Sequence, residues 1–395
     1  MRILQVVPYF YPYAGPVEVA YGISKKLIER SHEVVMYTSD VKNKYSRIDN
    51  ESENVNGMKI HYVRILGASV ARQMKLFITP EMISTVKEEI KNVDVIHLHE
   101  YRTFQNIVIS HYAKKQGVPY VLQAHGSLPR IMAKQWLKWI YDVLFGYRLL
   151  RDASKVIALS RMEAEQYRGM GVPEEKIAVI PNGIDLSEYG DLPPKGYFKK
   201  RFDIDEDEKI ALYLGRIHKI KGIDILVKAF AEVNEKLNDV RLVIVGPDDG
   251  YLSELKLMIK ALKIENNVLI VGPLYGEEKL EAYIDADVYV LPSKYETFPI
   301  GLLEAYSCGK PVVASRVGGL KDLVVDEKTG LLVEPGDVKQ LQRSMLYLLN
   351  NYNKAKEMSL KGRDIVRENF TIEKVVDRLE RLYEDAICRQ NMGIG

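Results

Sequence analysis

The chain has 395 residues, enough for two domains of ordinary size, and its 47% hydrophobic and 28% charged content is typical of globular proteins. The 56 basic and 54 acidic side chains leave a net charge of +2, which offers no global electrostatic case for nucleic acid. With only two cysteines, Cys308 and Cys388, we expect no disulfide framework and a reducing, cytoplasmic location. The apolar run at 3–7 is too short for a signal peptide and no run could span a bilayer, so we expect any membrane contact to be peripheral.

Apolar, β-branched runs alternate with amphipathic stretches along the chain, a pattern typical of parallel, doubly wound α/β sheets. In the first half the predicted strands are 3–7, 33–38, 59–65, 93–98, 120–124, 155–159 and 177–180. In the second half they are 209–214, 241–245, 268–271, 288–291, 312–315 and 330–333. Helices are predicted to begin there near Gly222, Leu252, Glu277, Gly301 and Val338.

A turn-rich stretch at 181–196 interrupts this pattern before it begins again. We therefore expect an N-terminal domain over 1–189 and a C-terminal domain over 190–369. Near the end of the chain, residues 372–386 carry apolar side chains at helical spacing. This predicts a final amphipathic helix in a separate segment, 370–395.

Several residues of the first half follow predicted strands and are candidates for ligand binding. Gly15, in the loop after the first strand, can expose backbone amides to phosphate at a helix N-terminus, although a plain tight turn also explains it. His125 follows the strand at 120–124, where an imidazole can accept a hydrogen bond from a hydroxyl or, when protonated, stabilise phosphate charge. His97 and His99 share one strand face. A metal site would need a third ligand that the sequence does not offer, so packing is favoured for this pair.

The segment 130–155 combines basic and aromatic residues. Six basic residues outnumber two acidic ones there, and both tryptophans of the chain lie in it. Apolar residues recur at helical intervals, which predicts one helix with a stripe of Trp136, Ile140, Val143, Tyr147 and Leu150. Two explanations are open: the stripe packs in the core, which is favoured, or the segment contacts an anionic membrane surface.

In the second half, Arg216 and Lys221 lie between a predicted strand and the next helix. A planar guanidinium and a compact ammonium at such a junction suit an anion, although exposed charges at a helix start are the alternative. Farther along, Gly246 follows the strand at 241–245, where the lack of a side chain would let a ligand approach the backbone.

Two carboxylates follow the predicted strand at 288–291. Glu296 falls in the loop at the carboxyl end of this strand, and Glu304 falls in the first turns of the next helix. Ligands of open α/β sheets bind beyond the carboxyl ends of the strands, so both side chains are expected to face one crevice and to accept hydrogen bonds from hydroxyls. Solvated surface charges are the alternative, which the apolar, glycine-punctuated surroundings disfavour.

These motifs resemble the signature of the large retaining glycosyltransferase family usually called family 4, and the resemblance covers nearly the whole chain. The matching features are Gly-Arg-x4-Lys-Gly at 215–222, Glu-x7-Glu at 296–304, and His125 at the end of a strand. The resemblance implies the GT-B fold: two tandem doubly wound, Rossmann-like α/β domains that face a central cleft, with a C-terminal helix that returns to the first domain.

The resemblance also implies roles for the candidate residues. Arg216 and Lys221 would hold the diphosphate of a nucleotide diphosphate sugar, Glu296 and His125 would contact the donor sugar, and Glu304 would accept hydrogen bonds from the ribose hydroxyls. The further donor contacts that it implies are Gly15, Gly246, Leu274 and the backbone amides of Phe298, Ile300 and Gly301.

This chain departs from the family pattern at two places. Pro299 stands where many relatives have glycine, and it has no N–H to offer a ligand. In the first loop, Gly15 alone remains of a Gly-Gly pair that is common among relatives. The first departure makes the donor sugar harder to infer, and the second leaves the loop resemblance partial.

The implied activity is transfer of a sugar from a UDP-, GDP- or ADP-linked donor to a hydroxyl, with retained configuration and with neither metal ion nor cofactor. The acceptor would be a sugar, a sugar phosphate or a lipid-linked molecule, as in the synthesis of glycans, lipid-linked saccharides or glycolipids. Two alternatives stay open. One is a sugar-nucleotide 2-epimerase of the same fold, which would need acid/base groups at the C2 proton, and the other is a non-catalytic sugar or nucleotide binding protein.

Overall fold

The chain folds into two α/β units. The computed structural model describes residues 1–9, 15–42, 46–67, 77–131 and 134–393. The first unit comprises Met1–Gly183 together with Ile372–Gly395, and the second comprises Ile184–Thr371. The division falls after Gly183, within the turn-rich stretch but ahead of position 189, and the final segment belongs to the first unit.

An eight-stranded sheet forms the centre of the first unit, in the order β3-β4-β2-β1-β5-β6-β7-β8. The strands are β1 (Arg2–Val6), β2 (Glu33–Ser39), β3 (Ser52–Val55), β4 (Met58–Val63), β5 (Val95–His99), β6 (Tyr120–Gln123), β7 (Lys155–Ala158) and β8 (Ile177–Val179). The helices are α1 (Gly15–Glu29), α2 (Met82–Ile90), α3 (Phe104–Gln116), α4 (Gln135–Tyr141), α5 (Tyr147–Asp152) and α6 (Arg161–Gly169). Strand β3 alone runs antiparallel to its neighbour in this sheet as described.

The second unit contains a six-stranded parallel sheet in the order β11-β10-β9-β12-β13-β14. Its strands are β9 (Lys209–Leu214), β10 (Val240–Val245), β11 (Val268–Val271), β12 (Val288–Leu291), β13 (Val312–Ser315) and β14 (Leu331–Val333). Its helices are α7 (Tyr197–Arg201), α8 (Ile223–Asn234), α9 (Leu252–Ala261), α10 (Gly276–Asp285), α11 (Ile300–Ser307), α12 (Leu320–Leu323), α13 (Val338–Asn350) and α14 (Tyr352–Asn369). This strand order is that of the doubly wound Rossmann fold.

The last helix, α15 (Ile372–Asn391), completes the first unit. Its apolar face, including Val376, Leu379 and Tyr383, is fully buried or nearly so. On its polar side, Arg30 at the end of α1 forms ion pairs with Asp377 and Glu380, 2.6 Å from each. The predicted amphipathic helix is therefore present, and it is held by both apolar packing and charge.

The predicted strands are all present, with ends that differ by at most two residues. Strand β3 was not predicted, because its sequence Ser-Glu-Asn-Val is polar and largely exposed at the edge of the sheet. Polar side chains at a sheet edge hinder pairing with other chains, so such a strand lacks the apolar pattern that marks buried ones.

The core packing favoured for the apolar stripe over 130–155 is wrong for four of its five residues. A π-helical turn, Asp142–Gly146, separates α4 from α5 and shifts the face on which later side chains lie. Leu150 is buried, whereas Trp136 is 65% exposed and Ile140, Val143 and Tyr147 are exposed too. The buried carboxylate of Asp142 accepts hydrogen bonds from the guanidinium groups of two arginines, Arg102 and Arg130.

Among the described residues, no helix is long and apolar enough to span a membrane.

Candidate functional site

Three predicted ligand-binding residues follow β9 and β12, which are adjacent strands in the sheet of the second unit. The strand order reverses direction between these two strands, and open α/β sheets bind ligands at such a point. Arg216 and Lys221 follow β9, and Glu296 follows β12. The topology therefore brings these three to one edge of the sheet.

Lys221 and Glu296 form a largely buried ion pair. Nζ of Lys221 donates to Oε1 of Glu296 at 2.6 Å, and the hydroxyl of Ser293 donates to the same oxygen at 2.7 Å. The neighbouring residue must be glycine, because a Cβ at Gly222 would lie 2.0 Å from the carbonyl oxygen of Pro292. With φ at +66°, Gly222 also adopts a conformation that other residues rarely take.

Arg216 is more accessible than Lys221. Its side chain is 53% exposed, and Nη1 forms an ion pair with a carboxylate oxygen of Asp249. Gly246 packs against the backbone of Gly215, the residue before Arg216. A Cβ at position 246 would lie 1.9 Å from the carbonyl oxygen of Gly215. The close approach of these two backbone segments therefore requires a glycine at 246. Packing thus explains this glycine, where the sequence alone suggested contact with a ligand.

Glu304 has partners that the sequence did not point to. The hydroxyl of Tyr283 donates to Oε2 at 2.8 Å, while Nζ of Lys279 donates to Oε1. The hydroxyl of Tyr189 lies 3.4 Å from Oε1. Lys279 and Tyr283 are four residues apart on α10, so they share one helix face. That spacing was a usable signal, but it gains meaning only once α10 is known to pack beside α11.

The other expected donor contacts of the second unit lie in three settings. Ile300 and Gly301 begin α11, where backbone N–H groups lack partners within a helix and can bind an anion or a hydroxyl. The side chain of Phe298 is 5% exposed and packs against Phe370, with ring centroids 5.4 Å apart. Leu274 is half-buried in the loop between β11 and α10.

In the first unit, His125 follows β6 and has a φ of +52°, in the left-handed region that few residues other than glycine adopt. The next residue holds this turn in place. The backbone N–H of Gly126 donates to Oε1 of Glu163 at 2.6 Å, and the N–H of Leu159 donates to Oε2 at 2.7 Å. Burial raises the pKa of the Glu163 carboxyl to about 7.

His97, His99 and His125 stack as a row of imidazoles. Ring centroids are 4.1 Å apart between the first two and 5.1 Å apart between the last two. Burial lowers the pKa of His97 and His125 to about 3 and lowers the pKa of His99 well below its usual range. The packing expected for His97 and His99 is thus found. Although these three rings lie together, no group of three or more His, Cys, Asp or Glu side chains among the described residues is arranged so that it could hold a metal ion.

Gly15 is the first residue of α1, at the start of the helix as expected. A Cβ there would meet no atom of the described residues within 4 Å, so packing does not require glycine. Residues 11–14 of the predicted loop lie outside the described residues. The structure therefore joins Lys221 directly to Glu296 and gives Arg216 and Glu304 separate partners. In the other unit it puts His125 just after β6 and Gly15 at the start of α1.

Comparison with known proteins identifies the family. The family model described as Glycosyltransferase Family 4 matches residues 13–188, and the model described as Glycosyl transferases group 1 matches residues 195–365. The chain belongs to glycosyltransferase family 4. The two matches cover the two units in turn, and the resemblance drawn from the short motifs is confirmed.

Two relatives of this family-4 glycosyltransferase match it almost end to end. It is 28% identical over 377 residues to an uncharacterized glycosyltransferase of Methanocaldococcus jannaschii, with 93% of each chain covered. It is 27% identical to N-acetyl-alpha-D-glucosaminyl L-malate synthase of Bacillus anthracis, with 95% of this chain and 96% of the relative covered.

Solved structures confirm the GT-B fold. Sucrose-phosphate synthase from Thermosynechococcus elongatus superposes with a TM-score of 0.83 at 24% identity, covering 98% of this chain and 99% of that one. HepE from Anabaena, solved in complex with UDP-glucose, superposes with a TM-score of 0.79 at 20% identity, covering 97% and 99%.

Proposed function

We propose that this glycosyltransferase moves a sugar from a nucleotide diphosphate sugar to a hydroxyl acceptor, with retention of the anomeric configuration. The observation that carries the proposal is the contact between Lys221 and Glu296 beside Arg216, at the point where the strand order reverses. A cation and a carboxylate in contact suit the junction between a diphosphate and a sugar, since one binds phosphate oxygens and the other binds hydroxyls. HepE, a structural neighbour, binds UDP-glucose, which supports a nucleotide sugar donor.

In the proposed reaction, the bond between the anomeric carbon and the diphosphate oxygen breaks, and a bond to the acceptor oxygen forms on the same face of the sugar. The acceptor proton passes to the leaving phosphate oxygen. Arg216 and Lys221 stabilise the negative charge on the departing diphosphate without a metal ion, because fixed cations act most strongly where charge develops. Glu296 and His125 orient the sugar, and Glu304 binds the ribose hydroxyls.

The acceptor is proposed to be lipid-linked, with the enzyme held at the inner face of the membrane. The support is an exposed apolar face on α4 and the π-helical turn, made up of Trp136, Leu137, Trp139, Ile140, Val143, Leu144 and Phe145. Exposed basic residues, Arg148 and Arg151, follow on α5. Interfacial aromatics together with cations favour an anionic lipid surface.

A groove beside this face adds to the case for lipid. It has a volume of about 770 Å³ and lies between α3 and the segment that ends with α5. Apolar side chains such as Ile107 and Phe145 line it together with Lys114, Lys115 and Arg148. Such a mixture suits a molecule with an apolar chain and an anionic head.

A thermal-shift series with UDP, GDP, ADP and dTDP tests the donor assignment. A ligand at 100 times its dissociation constant should stabilise the fold by about 2.7 kcal/mol. A shift with one diphosphate selects the sugar nucleotides for a transfer assay, in which the anomeric configuration of the product decides retention. No shift with any of the four would contradict the proposal. If nucleotide is released without an acceptor and the sugar is inverted at C2, the protein would be the 2-epimerase instead.

A further inference from the structure

A hydrogen-bonded path connects Gln5 to His125 through His99. The path begins on β1, crosses β5 and ends just after β6, three adjacent strands of the first sheet. Nε2 of His99 lies 2.8 Å from Oε1 of Gln5, and Nδ1 of His99 lies 2.8 Å from Nε2 of His125. Gln5 and His99 are fully buried, so this path is shielded from water.

The path determines which ring nitrogens carry protons. A neutral imidazole has one N–H donor and one acceptor nitrogen. Because the Gln5 oxygen only accepts, Nε2 of His99 must donate to it, which leaves Nδ1 of His99 as an acceptor. That acceptor requires a proton on Nε2 of His125. Nδ1 of His125 therefore keeps its lone pair.

All three imidazoles of the row are held neutral by burial, so the one-donor rule applies to each. His97 is outside the path. Its Nδ1 lies 2.7 Å from the hydroxyl of Tyr383, and its ring stacks on His99. Stacking from His97 holds His99 in the middle of the path, and the turn held by Glu163 holds His125 at its end.

We infer that Gln5 and His99 are positioning residues that set the tautomer of His125, so that its Nδ1 accepts a hydrogen bond from a hydroxyl of the donor sugar. This inference rests on the proposed function, in which His125 contacts that sugar. The opposite tautomer would present an N–H at Nδ1, which could only donate to the same hydroxyl. The path therefore selects the direction of the hydrogen bond between enzyme and sugar.

Nitrogen NMR of protein labelled with 15N-histidine tests the tautomers without any substrate. Long-range proton–nitrogen spectra distinguish protonated from unprotonated ring nitrogens, and the variants His97→Gln, His99→Gln and His125→Gln assign the signals. We expect protons on Nε2 of both His99 and His125. A proton on Nδ1 of His125 in the wild-type protein would overturn the inference, whether or not transfer is ever observed.

Two variants test the positioning role. Gln5→Met has a similar volume but no acceptor, so part of the His125 population should take the opposite tautomer and kcat/KM should fall about tenfold, as expected for loss of one hydrogen bond. His97→Phe is the matched control, because it keeps a stacking ring beside His99 and leaves the path intact. An unchanged His125 tautomer in Gln5→Met, or an equal change in His97→Phe, would contradict the role of Gln5.

Donor analogues separate this inference from the proposed function. In an analogue with a fluorine in place of the contacted hydroxyl, nothing can donate to Nδ1 of His125. We expect one such analogue to be used about tenfold less well by the wild type, with a much smaller penalty in His125→Phe, whose ring has no acceptor nitrogen. If transfer occurs but no fluorine analogue shows this pattern, the inference fails while the proposed function stands.

Discussion

Lys221 and Glu296 face each other at 2.6 Å, with side chains that are 17% and 8% exposed. Each of these two groups therefore compensates the charge of the other. A donor whose diphosphate binds Lys221 and whose sugar hydroxyls bind Glu296 would contact two groups that already form an ion pair with each other. Under the proposed function, the pair would link the stability of the second unit to binding of the donor.

Removing one partner of this pair should destabilise the protein, because a buried charge is left uncompensated. Lys221→Met is expected to lower the free energy of unfolding by about 3 kcal/mol, measured by chemical denaturation. The double variant Lys221→Met with Glu296→Gln should recover most of this loss but remain inactive. If the double variant is as unstable as the single one, the charge pair is not the cause.

Arg216→Ala should reduce transfer by about 100-fold or more, because the departing diphosphate loses a fixed donor. The melting temperature should hardly change, since the side chain is 53% exposed. Arg168→Ala is a suitable control, as Arg168 also forms an exposed ion pair with a carboxylate, Glu174. Near-normal turnover in Arg216→Ala would refute the diphosphate contact.

Glu304→Ala should weaken binding of the stabilising nucleoside diphosphate by tenfold or more, because the ribose hydroxyls lose a charged acceptor. Tyr283→Phe removes one neutral donor to Glu304 and should have a smaller effect in the same titration. Isothermal titration of both variants provides the comparison. Equal affinities for wild type and Glu304→Ala would exclude the ribose contact.

The histidine row should make the protein sensitive to acid. His97 and His125 have folded-state pKa values of about 3, below the ordinary value of 6.5, so the unfolded chain binds more protons between these values. Stability should therefore be lost as pH falls below about 6.5, by at most about 1.4 kcal/mol per pH unit for each histidine.

His125→Gln should flatten this dependence in denaturation curves recorded from about pH 5 to 7.5. Glu163 acts in the opposite direction: with its pKa raised from 4.5 to about 7, it stabilises the folded state more at low pH. Glu163→Gln should consequently steepen the loss in acid. An unchanged slope in both variants would show that other groups govern the acid response.

Membrane contact predicts that the wild-type protein sediments with anionic vesicles and that a Trp136→Ser, Trp139→Ser variant does so much less. Leu257→Ser is the matched control, since Leu257 is also exposed, at 70%, but lies on α9 of the second unit. Neutral vesicles should bind less protein, because the cations lose their partners. A wild-type protein that never sediments would exclude this surface.

Sequence patterns predicted the strands well because buried parallel strands are continuous apolar runs, as at 288–291. They also predicted that Lys221 and Glu296 follow strands at their carboxyl ends, which the structure shows, because short motifs keep fixed spacings within one loop or helix. The ligand roles of Arg216, Lys221, Glu296 and Glu304 stay predictions. Lys279 and Tyr283 were missed, since their contact with Glu304 depends on how two helices pack. The π-helical turn at Asp142–Gly146 was missed for a similar reason: a periodic stripe does not record one inserted residue.

Helix α15 determines the order in which the two units can finish folding during translation. The first sheet emerges from the ribosome early, but His97 finds the hydroxyl of Tyr383 only when the end of the chain has been made. The second unit is one continuous segment, Ile184–Thr371, so it can fold before the final helix has been made. The unit that is translated first is thus finished last, and a chain that stops before Ile372 would lack the helix that contacts α1.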